Sequence, residues 1–239
     1  MICVKWKNVL LCTLILLLLP AGSQSLADGT GGQDYEKTGD LIMELIGGES
    51  ACPGYIETGV LYSGEKEVKD FAAYFYKRYY FGDAPVKVYY TTYTSKPDEY
   101  HMGVYTEKPQ EAARQHREAE EKLEEAAASM TAQRDYDKAM EIYRWVYDRF
   151  EYDYSQKSLS VYSAIRTGKA VCNGYTRLFQ TLCARRGLAC EIVTGENHAW
   201  NRVLIDGEWR YVDITWNKNL SEDRWLFLRE DEMNKSHKP

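Results

Sequence analysis

Histidine is scarce in this chain, with 4 among 239 residues, and His101 and His116 stand in no cysteine or carboxylate pattern with metal-ligand spacing. No metal site is therefore assigned, and no cofactor is expected. Cysteine is also sparse, at 6. Cys3 and Cys12 belong to the N-terminal segment, and four more spread over the rest make no disulfide scaffold, so the fold must rest on a hydrophobic core. An excess of basic residues is missing too: 30 Lys and Arg against 36 Asp and Glu leave a net charge of −6, which excludes nucleic acid as the expected partner. No internal repeat is present. The apolar run from Val9 to Leu19 falls short of the ~20 residues that a membrane-spanning helix needs.

That run has a different reading. Lys5 and Lys7 precede it, Pro20 follows it, and Ser25-Leu26-Ala27 supplies the small residues that suit signal peptidase. Residues 1–27 therefore read as a secretory signal cleaved near Ala27, with an uncleaved anchor as the alternative. Cleavage removes two lysines and no acid, taking the net charge to −8. The mature protein is expected outside the cell or in its envelope, without stable membrane association.

Residues 28–108 read as a small mixed α+β region, opening on a glycine-rich linker at 28–34. A helix is expected around Val68–Tyr80 and strands around Val86–Thr94 and Tyr100–Thr106, separated by a turn at Ser95-Lys96-Pro97-Asp98. Many of the 20 tyrosines cluster here. They suit strands and half-buried helix faces, and a stacking surface for glycan is the less favoured reading. Residues 109–239 form the second region, led by helices from about Gln110 to Ala128 and from Tyr136 to Phe150. The Lys/Glu runs at 111–125 read as a solvated helix face.

The chemistry concentrates in three residues, Cys172, His198 and Asp213. Residues Cys172 to Arg186 read as a helix, with Leu178, Phe179 and Leu182 on one face and Gly187 as its stop. A cysteine in the first turn meets unpaired N–H groups and the positive end of the helix dipole, which favour its thiolate. After His198 the chain reads as a strand, turns at Asp206-Gly207, and reads as a strand again from Trp209 to Trp216. Pairing Ile205 with Glu208 puts His198 opposite Thr215 and makes Asp213 its diagonal neighbour, within reach of a carboxylate–imidazole contact. Trp200, Trp209 and Trp216 read as core packing. A Cys183–Cys190 bridge across the Gly187 turn is the minority reading against two free thiols.

Several pieces together carry a resemblance. They are Tyr152-Asp153, Ser163-Ala164-Ile165 before Gly168, Cys172-x-Gly174-Tyr175, Val193-x-Gly195 before His198-Ala199-Trp200-Asn201, Trp209-x-x-Val212-Asp213-x-Thr215-Trp216, and Trp225-Leu226-Phe227-Leu228 with Met233 and His237. In these the segment from about Tyr136 onward resembles the transglutaminase-like superfamily, whose core is a rearranged relative of the papain fold, and within it the bacterial secreted branch. The resemblance implies an α+β fold with the nucleophile at a helix N-terminus and the His and Asp on an antiparallel hairpin. It implies that Cys172 is nucleophile, His198 general base and acid, and Asp213 its partner. Nothing in the chain matches the calcium-site apparatus of animal transglutaminases, so calcium activation is not implied. The expected activity is acyl transfer from an amide through a Cys thioester on a protein or cell-wall peptide. A cysteine peptidase or amidase is favoured over a protein-glutamine transglutaminase or a catalytically silent binding module.

Overall fold

The computed structural model describes residues 34–79, 82, 84–93, 95–195 and 197–237. The signal sequence and most of the glycine-rich linker expected above lie outside the described residues. The first unit is built from α1 (Tyr35–Gly47), β1 (Gly54–Tyr62), α2 (Glu65–Arg78), β2 (Val86–Tyr93) and β3 (Lys96–Thr106), with an antiparallel sheet in the order β1-β3-β2. Asp34 caps α1 by accepting from the Lys37 backbone N–H. One sheet face closes over Ile42, Phe71, Phe75, Tyr62, Met102 and Val104, all buried in one cluster. β1 and β3 lose register between Glu57 and Leu61, where Gly59 takes φ +74, and the Thr58 hydroxyl donates to the Met102 carbonyl. This is a β-bulge, and Gly59 takes the left-handed backbone within it.

The expected turn at 95–98 is shorter in the structure. Tyr93 pairs with Lys96, so Lys96, Pro97 and Asp98 belong to β3. Proline is tolerated there because β1 reaches β3 only as far as Tyr100, leaving the Pro97 position without a β1 partner. The tyrosines divide between two environments. Tyr62 and Tyr79 are core residues, whereas Tyr55 is 73% exposed and meets Tyr89 and Tyr105 with centroids 5.0 and 4.8 Å apart.

α3 (Pro109–Ser129) joins the two cores. Its Ala112 and Ala113 complete the first cluster, and Ala119, Leu123, Ala126 and Ala127 enter the second. The second unit continues with α4 (Asp135–Arg149), β4 (Glu151–Tyr152), α5 (Val161–Thr167), β5 (Lys169–Ala170) and α6 (Cys172–Arg185). It closes with the antiparallel sheet β6 (Cys190–Thr194), β7 (Ala199–Ile205) and β8 (Glu208–Val212), then α7 (Ile214–Leu220) and α8 (Glu230–Met233). α6 is the centre of this unit, burying Tyr175, Leu178, Phe179 and Leu182. Arg177 ties the units together by donating to the Tyr76 carbonyl at 2.7 Å.

Two local devices bring the chain to Cys172. Asp153 accepts from Ser155 and from the Lys157 and Ser158 backbone N–H groups, which winds the 153–158 loop around one carboxylate. These hydrogen bonds, the Ser155 hydroxyl foremost, hold that carboxyl below its usual range. A reciprocal Ser160/Ser163 cap starts α5, and Gly168 ends it at φ +68. The short parallel pairing of β4 with β5 then delivers Ala170 two residues before the thiol. Gly174 allows the close approach, because a Cβ there would stand 2.9 Å from the Ala170 Cβ.

Candidate active site

Cys172 occupies the first helical position of α6, half-buried, after an extended Val171 that provides no side-chain cap. The unpaired N–H groups of that turn and the helix dipole favour a negative sulfur. Hydrogen bonding to the His198 imidazole is the leading influence on the thiol. Together with the His198 charge and the Ala199 and Asn173 backbone N–H groups, it outweighs burial and lowers the thiol from its ordinary value.

His198 directly precedes β7, and its Nε2 lies 2.6 Å from Asp213 Oδ2. The bond to Asp213 uses Nε2 and leaves Nδ1 for the thiol side. Burial alone would disfavour the imidazolium. The hydrogen bonds and charges of Asp213 and Cys172 overcome it and raise the imidazole to about 9. The ring lies nearly parallel to Trp216 at 5.3 Å and to Trp200 at 5.9 Å. The packing expected of Trp200 and Trp216 is thus packing against His198. Trp209 lies elsewhere, under the Arg202 guanidinium.

Asp213 is fully buried. The hairpin register is the expected one, with Ile205 opposite Glu208, but the second strand ends at Val212. The strand reading to Trp216 is corrected: residues 214–220 are helical, and Asp213 is their N-cap, accepting from the Trp216 N–H through Oδ1. Thr215 therefore does not pair opposite His198. The physical reason is that an Asp side chain satisfies an orphan helix donor as readily as it sits in a strand, and that capping bond aims the other oxygen at His198. The Asp-x-x-Trp stretch before Lys218 was a readable cap signal. The carboxyl is lowered despite burial, which opposes it most; bonds from His198 and then His237 prevail.

His237 is the residue that the three-residue reading missed as a partner. Its Nε2 lies 2.8 Å from the same Oδ2. The stretch 225–228 joins β8 through a single bridge between Tyr211 and Leu228, and the chain then turns through α8 to place His237 against Asp213. His198, Asp213 and His237 bring three ligand-type atoms within 4.8 Å. Separations of 2.6 and 2.8 Å are those of hydrogen bonds, shorter than the ~3.3 Å between ligand atoms around a tetrahedral zinc with ~2.0–2.1 Å bonds. Asn201, buried, donates to the Thr176 carbonyl at 3.1 Å and so fastens the strand that follows His198 to the helix that begins at Cys172. Tyr152 feels Cys172 as well: burial first, then the thiol's charge, raises its phenol. Cys183 and Cys190 are free thiols that face each other; burial, then Cys190, pushes Cys183 well up. His101 lies in β3 of the first unit and His116 in the junction helix α3.

A cysteine at a helix N-terminus, an imidazole and a buried carboxylate on an α+β scaffold define a papain-like arrangement. The chain matches the profile of the transglutaminase-like superfamily over residues 124–214. It is 29% identical to human kyphoscoliosis peptidase over 37% of this chain and 17% of that protein. It is also 29% identical to the Lim and transglutaminase domain protein ltd-1 of Caenorhabditis elegans, over 37% of this chain and 15% of that protein. The chain thus spans about one sixth of the length of these relatives. Among solved structures it is similar to one described as a TGase, at 16% identity and TM-score 0.37, covering 64% of this chain and 48% of the other.

The ion pair has a measurable consequence. Alkylation of Cys172 by iodoacetamide should fall less steeply from pH 8 down to pH 6 than that of an ordinary thiol, because the thiol is lowered while His198 keeps its proton up to about 9. A thiol of ordinary pKa, ~8.5, slows roughly tenfold per pH unit over that range. The exposed Cys52 is the internal reference, read by peptide mapping. Parallel decline of the two would show that Cys172 has no imidazolium partner.

Proposed function

We propose that this protein is a secreted thiol hydrolase that cleaves an amide in a protein or cell-wall peptide through a thioester on Cys172. The observation that carries the reading is the 2.6 Å His198–Asp213 bond with the imidazole engaging a thiol at the start of α6. The thiolate attacks the carbonyl carbon, and the His198 imidazolium protonates the departing nitrogen as the C–N bond breaks. Water then adds to the thioester, its proton passing to His198, and the C–S bond breaks to release the acid and restore the thiol. Asp213 stays ionised throughout and holds the imidazole. A cleaved signal near Ala27 would place this chemistry outside the cell. Peptidase action fits the names of the kyphoscoliosis relatives, which match this chain in part.

Hydrolysis is favoured over amine transfer because Cys172 and His198 are only partly buried, so water reaches the acyl-enzyme. Water stands at ~55 M, and an amine competes only where a site binds it and keeps water out. With a cleavable peptide or glutamine amide and millimolar lysine analogue, free acid should exceed amine adduct. A majority of adduct would replace the hydrolase reading with a transglutaminase.

A further inference from the structure

We propose that His237 is a positioning residue for the His198–Asp213 pair, which makes the segment from Trp225 to His237 part of the machinery at Cys172. This rests on the thiol reading above. His237 is 3% exposed and wedged among Trp200, Trp216 and Trp225, with ring centroids 4.7, 4.1 and 6.1 Å away.

Its hydrogen-bond roles follow from a chain of one-way groups. The Trp225 indole N–H can only donate, and it does so to the Ser236 hydroxyl oxygen at 2.8 Å. The Asp213 carboxylate can only accept, so the hydrogen of the 2.8 Å contact sits on His237 Nε2, and Nδ1 is left to accept from the Ser236 hydroxyl at 3.0 Å, which also reaches the Met233 carbonyl at 3.3 Å. His237 then carries its proton on Nε2 and donates it to Asp213 Oδ2.

Two imidazole N–H groups thus share one carboxylate oxygen, while the other oxygen is occupied by Trp216. A carboxylate holding three donors is fixed in rotation and resists taking the proton of His198, so that proton stays on the imidazole that faces the thiol. The titratable side chains hydrogen-bonded to Asp213 among the described residues are His198 and His237. The backbone holds the segment in place. Tyr211 and Leu228 exchange two bonds of 2.8 Å, the Asp213 N–H donates to the Trp225 carbonyl, and the His237 N–H donates to the Met233 carbonyl.

The test uses His237→Phe, which keeps an aromatic ring among the tryptophans but removes the donor, and His237→Gln, which restores an N–H near the same place. In H237F the Cys172 alkylation rate at pH 6 should fall about tenfold, the effect of one charge-assisted hydrogen bond, with kcat reduced and KM unchanged. H237Q should recover most of that loss. H237F with the wild-type pH profile and kcat would overturn the assignment and leave His237 a packing residue. Should H237F not fold, nitrogen spectra of labelled histidine in the wild-type protein decide. An Nε2-protonated His237 whose resonance moves in Asp213→Asn is the expected result, and Nδ1 protonation would refute it. A wild-type Cys172 no more reactive than Cys52 would instead overturn the thiol reading itself.

Discussion

Replacing Cys172 by alanine should lower amide turnover by at least about 10⁴-fold, because on the proposed thiol reading the residue supplies the atom that bonds to the substrate. The buried Cys183 and the partly buried Cys190 lie at the far end of α6 and beyond it. Eleven residues separate Cys172 from Cys183, about three helical turns, which puts the second sulfur far outside reach of His198. The fold should survive. Cys172 is half-buried at a first helical position, where alanine is an excellent helix former, so the melting temperature should move by no more than ~2–4 °C, about 1 kcal/mol in a chain of this size. Steady-state kinetics with a cleavable peptide, alongside thermal melts, checks both halves. Wild-type turnover in Cys172→Ala would remove the nucleophile assignment.

Asp213→Asn should cost about 10³–10⁴ in kcat and leave a measurable residue, since on the same proposed reading the group orients the base and does not itself bond to substrate. The loss has two sources. The amide carries no charge to favour the His198 imidazolium. It also offers one acceptor and one donor end where the site demands two acceptors: Oδ1 receives the Trp216 N–H and Oδ2 receives both imidazoles. Either orientation of the amide sets a donor against a donor.

The same substitution should change the pH dependence of stability. Folded His198 is raised to about 9 and an unfolded histidine titrates near ~6.5, so its contribution is fully present below ~6.5 and is lost as pH rises through 9. The Asp213 carboxyl is lowered, so its contribution is present above the unfolded ~3.9 and is lost as pH falls through its folded value. The stability gap between wild type and Asp213→Asn should therefore be widest between pH ~4 and ~6.5 and narrow toward pH 9. Chemical denaturation across that range reads it, and a gap independent of pH would show that the pair is not ionised.

What could be read from the residues in order is what depends on near neighbours. The start of α6 at Cys172, the Asp206-Gly207 turn with Ile205 opposite Glu208, and the helices near 110–128 and 136–150 all follow from periodicity, glycine stops and turn chemistry within a few residues. Cys172, His198 and Asp213 stood out as candidates for the same reason, each set in a local context that suits the chemistry proposed for it. Their mutual geometry was not legible. Asp213 reaches His198 from a helix cap because the 214–220 segment packs as a helix against α4 and α6, a preference that alternating apolar residues do not reveal. The bulge at Gly59, the strand that absorbs Pro97, and the Asn201 link to Thr176 likewise depend on which strand or helix arrives alongside. His237 is the clearest case: it lies 24 residues from the carboxylate it shares with His198, and only the packing of the segment after Trp225 onto β8 brings it there. Local patterns choose the elements, while hydrogen-bond partners distant in the chain are chosen by the burial of polar groups that must be satisfied once the elements meet.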